Sequence, residues 1–396
     1  MALATIDFIN GIGSFIFPFL ALFLTVKMGY SASKAGLFTL IALAMYAPGS
    51  LFSSHIADKV SRKTVMIVSQ LLCGVSMILC GLVMSQKELV PYFILLLFLF
   101  DGATDPARQA IYADHTTFKN RKEAYSLFYL AHNIGFAIGP MLAGLLFNEY
   151  PQWLFLGNGI VTIIATIFLA LFIKDQKPTD SDIEESLKGN RSDKAMEGSV
   201  LTVLKEKPLL TFYIFIFSFF GLAMSMYFFT MPLYLTSLFN DIGPKYFGTI
   251  MSLNAITVII ATPIIVRFSS NNHPLRLISI SMILYTVSYI LTGLTSVFYF
   301  LLILTVVFSV GEVFSATNHG YFVTNHIPLG HRARFSAIQT ILEGIGFAVG
   351  PLISGIIIDH FGYSTIFIIS AILIFLCLIA LQWIRHLYFK KDGTKY

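Results

Sequence analysis

Apolar runs of bilayer-crossing length recur from one end of the chain to the other, and the clearest are Ile6 to Val26, Thr64 to Met84, Trp153 to Ile173, Leu209 to Leu238 and Leu277 to Leu302. Each is near or above the roughly 20 residues that cross a bilayer core as a helix. Of the 396 residues 56% are hydrophobic and only 12% are charged, against about 25% charged in an ordinary soluble domain. A water-soluble surface cannot be built from that composition. The pattern predicts an all-α integral membrane protein with twelve spans, at about 4–27, 35–56, 63–85, 89–113, 122–147, 152–174, 208–238, 245–268, 275–297, 299–323, 335–358 and 362–386. The first run has no basic leader or cleavage signal and reads as a retained helix. Cys73, Cys80 and Cys377 all fall inside apolar runs. They read as small core residues, with neither a disulfide framework nor metal-ligand spacing.

Short loops between most spans imply antiparallel neighbours. The exception is 175–207, a hydrophilic stretch with Asp182, Glu184, Glu185, Lys188, Arg191, Asp193 and Lys194. It divides the chain into a six-helix block over 1–174, a cytoplasmic linker over 175–207 and a second six-helix block with a short tail over 208–396. With both termini inside, the inner segments carry Lys59, Arg62, Lys63, Lys119, Arg121, Lys122, the linker bases, Arg267, Arg276, Arg332, Arg334, Arg385, Lys390, Lys391 and Lys395. The outer loops keep Lys27, Lys34, Lys87 and Lys245. That bias predicts both termini in the cytoplasm of a cell (cytoplasmic) membrane protein. The net charge of +5 then needs no nucleic-acid partner, because inner-leaflet lipids account for it.

The chain also repeats itself. Ile134-Gly135-Phe136-Ala137-Ile138-Gly139-Pro140 in span five is nearly identical to Ile345-Gly346-Phe347-Ala348-Val349-Gly350-Pro351 in span eleven. The offset, 350 − 139 = 211, also superposes Gly144 on Gly355, Arg121 on Arg332, His115 on His326 and Asp101 on Glu312. Two parallel six-helix halves joined by a polar linker are the arrangement of one large class of secondary transporters, whose substrate site lies near the midplane.

On these features the sequence resembles the major facilitator superfamily, and more narrowly its twelve-span drug:proton antiporters. The segment Ser54-His55-Ile56-Ala57-Asp58-Lys59-Val60-Ser61-Arg62-Lys63 is similar to the family's loop signature after span two, with Ser54 and Ser61 where glycine is usual. Its counterpart near Arg267 to Arg276 is degraded. The antiporter signature of span five, G-x-x-x-G-P-x-x-G-G, is matched by Gly135, Gly139, Pro140 and Gly144, with Ala143 replacing one glycine. The resemblance implies that Asp58 lies near a helix end of the other half, that Arg62 lies near Asp114, and that Asp58, Arg62 and Lys63 hold spans together when the pore opens outward. A solvated, positive-inside loop is the competing reading. The glycines, with Gly346, Gly350, Pro351 and Gly355 in the second half, remove side chains so that another backbone can approach, and the prolines can bend their helices. Ordinary packing competes with a gating role for them.

Ionisable residues inside the spans carry the mechanism, since a charge at the bilayer centre costs on the order of 3 kcal/mol or more and must find water or a partner. Asp101 and Glu312 are central in spans four and ten and equivalent in the repeat. Asp101, Asp105 and Arg108 share one helix face, as do Glu312, Ser315 and His319. His132 is paired by the offset with Glu343. Buried carboxyls can exchange protons near neutral pH. Glu312 is therefore the first candidate for proton coupling and Asp101 the second. Asp105 and Arg108 read as a mutual salt bridge that fixes span four, with a place in the substrate cavity as the alternative, while His132, His319 and Glu343 are either cavity lining or structural. His115 and His326 suit the interface. By resemblance, Phe8, Asn10, Phe15, Phe17 and Pro18 in span one, Tyr227, Phe228 and Tyr234 in span seven and Asn254 in span eight lie in cavity-lining helices, with plain packing as the alternative for each aromatic. Asp7 is expected at the helix entrance. A cavity so aromatic suits lipophilic cations or amphiphiles better than sugars.

No Walker-type G-x-x-x-x-G-K-[ST], nucleophile elbow or metal-ligand cluster is present, so ATP hydrolysis and other enzyme chemistry lack support. The expected protein is a monomeric, cofactor-free, proton-coupled exporter of lipophilic or cationic small molecules, driven by the proton gradient through alternating access. A flippase for lipid-like amphiphiles and a nutrient:proton symporter share the fold. A receptor would need a soluble signalling module, which the chain does not contain.

Overall fold

The computed structural model describes residues 1–57, 60–116, 120–175, 208–269, 272–326 and 332–392. The linker, Asp58 and Lys59 lie outside the described residues, so the expected role of Asp58 has no structural counterpart here. Among the described residues the chain is helical: α1 (Ala2–Ile12), α2 (Ile16–Leu22), a π-helical turn (Phe23–Lys27), α3 (Ala32–Ala57), α4 (Arg62–Leu82), α5 (Val90–Asp114), α6 (Arg121–Leu146), α7 (Gln152–Phe172), α8 (Pro208–Phe239), α9 (Gly243–Ser269), α10 (Pro274–Leu294), α11 (Phe298–His326), α12 (Arg332–Phe361) and α13 (Tyr363–Asp392). A backbone in hydrocarbon must satisfy its own polar groups, which helices do within one segment. Eleven stretches of the described residues are long and apolar enough to cross a membrane, and one of them, Pro208–Ser269, has 62 residues. Such a helix would be about 93 Å long, three times the hydrocarbon thickness. It reverses at Asn240–Ile242, where Asn240 takes a positive φ of 50°, so it makes two crossings and the total is twelve.

The first span departs from the single helix expected. It breaks at Gly13–Phe15 because Pro18 has no N–H to give the Ser14 carbonyl one turn back. At the break the Phe15 N–H donates to the Gly13 carbonyl at 2.7 Å and to the side-chain oxygen of Asn158 on α7 at 3.3 Å.

Two compact units emerge: residues 1–177 together with 229–259, and residues 178–228 together with 260–396. In the first, α4 packs on α5 and α7, α3 on α5, and α1 on α6. In the second, α10 packs on α11 and α13, which repeats the α4, α5 and α7 arrangement one half later. Large side chains such as Phe52 and Leu171 are 71% and 73% exposed. Side chains that apolar would be costly toward water but match lipid tails.

Glycines set the closest crossings. A methyl group on Gly139 would stand 2.6 Å from the Ile12 carbonyl and 3.0 Å from that of Gly11, and one on Gly350 would stand 3.0 Å from the Leu222 carbonyl. Leu222 is Gly11 shifted by 222 − 11 = 211, so the repeated motif makes the same backbone contact in both units. Gly135 lies directly on Phe8 and Gly346 on Ser218. A methyl group on Gly144 would stand 2.5 Å from the Pro244 carbonyl, and one on Gly248 would stand 2.5 Å from that of Pro140. Pro351 and Gly355 are buried in α12. Gly135→Val should destabilise the protein by about 1–3 kcal/mol, the usual range for overpacking. Gly320→Val should be nearly silent, because nothing lies within 4 Å of the position. Thermal unfolding of the two variants in detergent checks the contrast.

Candidate functional site

The first unit assembles an ionisable network along one face of α5, where Asp101, Asp105, Arg108 and Tyr112 follow i, i+4, i+7 and i+11 spacing. Such spacing keeps the four side chains in one stripe. The Arg108 guanidinium pairs with the Asp105 carboxylate, and the Tyr46 hydroxyl of α3 also donates to Asp105. Tyr112 donates to Oδ1 of Asp7 on α1. The His132 ring of α6 donates to the main-chain carbonyl of Asp7. Asp101 lies within the fields of Arg108 and Asp105, and its side chain is left uncovered by the described residues. A carboxylate in mid-span cannot face lipid, so it faces water. Three acids thus surround one permanent cation, an imbalance that protons or a cationic ligand would relieve.

Asp7, expected at the helix entrance, lies in the second turn of α1. It is only 6% exposed, because α1 begins at Ala2 and its first turns are already packed against α4, α5, α6 and α7 through Leu3, Ile6, Met66, Ile111, Phe128 and Leu169.

The second unit holds two acids. Glu312 on α11 is half-buried and acts on the phenols of Tyr227 and Tyr289. Those rings are stacked at 4.8 Å and 7°, and Tyr227 stacks on Phe308 at 4.7 Å and 15°. An aromatic stack therefore backs the acid. Glu343 on α12 places Oε1 3.2 Å from Nε2 of His319 on α11. His319 also meets Gln339 through Nε2 at 2.8 Å and the Tyr213 hydroxyl through Nδ1 at 3.0 Å, and its ring stacks on Phe217 at 3.9 Å. A neutral ring can accept from Gln339. A protonated ring has no acceptor to offer and turns its charge to Glu343.

The remaining candidates are scattered. Asn10 is half-buried on α1. Phe15 is buried against Gly157 and packs inside its own unit. Tyr234 and Asn254 are buried in the 229–259 segment grouped with the first unit. Arg62 at the start of α4 binds both oxygens of Asp114 at the end of α5, at 2.5 and 2.6 Å. Lys63 instead donates to the Ala170 carbonyl at 2.8 Å, tying α4 to α7. The Asp114 side chain is 9% exposed and the Arg62 side chain 35%. A double-mutant cycle with Arg62→Gln and Asp114→Asn should give a coupling energy of about 0.5–3 kcal/mol in unfolding, the range for residues in direct contact.

Tyr46, Tyr112, Tyr213, Tyr289 and Gln339 were not singled out by the sequence. Tyr112 could have been found by extending the Asp101 stripe one more turn. The others sit on neighbouring helices, and no spacing rule links one helix face to another.

The family model described as "Major Facilitator Superfamily" matches residues 3–241 and 235–395. An MFS-type transporter of Bacillus subtilis (strain 168), YqjV, is 28% identical over 96% of this chain and 91% of its own. A Na(+), Li(+), K(+)/H(+) antiporter of Planococcus maritimus is 24% identical over 95% of this chain and 93% of its own. Among solved structures, a bacterial homolog of the human lysosomal transporter Spinster, in an inward-facing and unoccupied conformation, superposes with a TM-score of 0.77 at 14% identity, covering 98% of this chain and 96% of that one.

Proposed function

Because the chain belongs to the Major Facilitator Superfamily and is a multi-pass membrane transporter rather than an enzyme, we propose that it is a secondary active exporter that exchanges protons for lipophilic cations by alternating access. The observation that carries this reading is the pair of equivalent acids: Asp101 at mid-span beside Arg108 and Asp105, and Glu312 at mid-span beside stacked tyrosines. Ionisable groups at that depth serve ion or substrate pathways. The aromatic surroundings of Glu312 suit a delocalised cation, which aromatic faces attract. Substrate and proton would compete for the same carboxylates, and competition for one site is enough to couple opposite fluxes. Glu312 is the first coupling residue and Asp101 the second. The basic inner segments support placing both termini in the cytoplasm of a bacterial cell membrane, with a monomer as the working unit.

A second reading has its own support. The similarity to the Planococcus antiporter runs over nearly the whole chain, and three acids around one arginine would also suit a small monovalent cation exchanged for protons. Liposomes carrying the purified protein and an imposed pH gradient separate the two. Movement of a lipophilic cationic dye that stops when the gradient is collapsed supports drug:proton exchange. Gradient-driven sodium or potassium movement without dye movement supports the second reading, and dye movement indifferent to the gradient contradicts the first.

A further inference from the structure

Asp7 has no assigned role in this scheme, yet its surroundings are those of a proton site. Its Oδ1 accepts from Tyr112, while its buried Oδ2 has no hydrogen-bond partner. The cluster around it is apolar, built from Val65 and Met66 of α4, Ala107 and Ile111 of α5, Phe128 of α6 and Ala165 and Leu169 of α7. The titratable groups that face it are Tyr112, Arg108 and, beyond them, Asp105 from α5, with His132 from α6 and Tyr125 packed on the Tyr112 ring. The members of that cluster from α4 and α7, Val65, Met66, Ala165 and Leu169, are not titratable, and neither are the buried polar side chains those helices carry beside them, Ser69, Gln70 and Thr166. A carboxylate anion with one bare oxygen in such a pocket is poorly solvated. A proton on Oδ2 removes the charge.

Position gives this proton a use. The stripe from Asp101 to Tyr112 spans twelve residues of α5, whose eleven steps cover about 16 Å along the axis. Asp7 closes its far end, two residues short of the Arg62–Asp114 pair. Arg108 stands between the two ends, paired with Asp105 and within the fields of Asp7, Tyr112 and Asp101.

We propose that Asp7, held by Tyr112, is a second proton-binding carboxyl of the first unit, and that Arg108 links its protonation to that of Asp101. When alternating access admits water to Oδ2 and Asp7 releases its proton to it, the new anion draws the Arg108 charge toward the Tyr112 end of the stripe. Asp105 and Asp101 lose part of their counter-charge, and Asp101 takes a proton from the water it faces. One proton leaves and one arrives, and Arg108 stays charged throughout. The coupling step rests on the proton-exchange reading above, whereas the proton on Asp7 does not.

Infrared difference spectra of the reconstituted protein between acid and alkaline pH test both parts. The band of a protonated carboxyl should lose one component in Asp7→Asn, keep it in Asp7→Glu, and show it displaced in Tyr112→Phe, where the hydrogen bond is gone. The same component should titrate differently in Asp101→Asn if Arg108 links the sites. Should Asp7→Asn fail to fold, Asp7→Glu and Tyr112→Phe carry the test. A spectrum unchanged in Asp7→Asn, or unchanged in Tyr112→Phe where Asp7→Asn does not fold, overturns the proposal. An Asp7 band with no proton-linked transport in the wild type keeps the proton site and removes the exporter reading. Proton-linked transport whose pH profile is unaltered by Asp7→Asn overturns the coupling.

Discussion

Arg108→Gln is expected to be the most damaging single change in the first unit, both to folded yield and to transport. The guanidinium is paired with Asp105 and lies in the fields of Asp7 and Asp101, so its removal leaves three acids without a permanent cation. Breaking a fully buried pair by removing one partner costs about 3–5 kcal/mol. Arg108 and Asp105 side chains are 34% and 31% exposed, so solvent screening reduces the loss to about 1–3 kcal/mol. The double variant Arg108→Gln/Asp105→Asn should recover part of the stability but not transport, because the charge is balanced while the stripe is still interrupted. Thermal unfolding and dye flux, measured on the same preparations, check both halves of this expectation. Equal loss of stability in the single and double variants would show that Asp105 is not the group Arg108 neutralises.

Glu312→Gln carries the second large effect, and it should separate two activities that are joined in the wild type. Glutamine keeps the size of the side chain beside Tyr227 and Tyr289 and removes its ability to hold or release a proton. Movement of dye against its gradient should fall by at least about tenfold, the factor that corresponds to about 1.4 kcal/mol of lost coupling. Movement of dye down its gradient should persist, because the aromatic stack of Tyr227, Tyr289 and Phe308 is untouched. Asp101→Asn should weaken uphill movement as well. Loss of downhill as well as uphill movement in Glu312→Gln would show that the aromatic stack cannot hold the dye without the carboxylate, or that the variant does not fold.

Much of the architecture was legible because a bilayer leaves so few options. Runs of twenty apolar residues mark the crossings, and the Gly139 and Gly350 motifs mark matching helices in each half, a match carried down to the backbone contacts with Gly11 and Leu222. The break in the first span was less visible. Pro18 causes it, and the side chain that helps hold the Phe15 N–H there is Asn158, which lies 143 residues beyond Phe15. Pairings within one helix, such as Asp105 with Arg108, follow from spacing alone. Those between helices do not, and Asp7 with Tyr112 or His319 with Glu343 become visible only when the helices are packed. Asp7 shows the limit most plainly, since position near the chain start suggested an entrance while four neighbouring helices bury it.

On the proposed exchange, proton and substrate fluxes should be opposite and obligatorily linked through Glu312 and Asp101. The most direct measurement follows the pH inside liposomes, with a trapped indicator, after a gradient of lipophilic cationic dye is imposed in the absence of any initial pH gradient. Dye moving through the wild-type protein should drive protons the other way, and the Asp101→Asn/Glu312→Gln variant should show no pH change. Dye that moves through the wild type with the internal pH unchanged, or a pH response that survives in the double variant, would contradict the account.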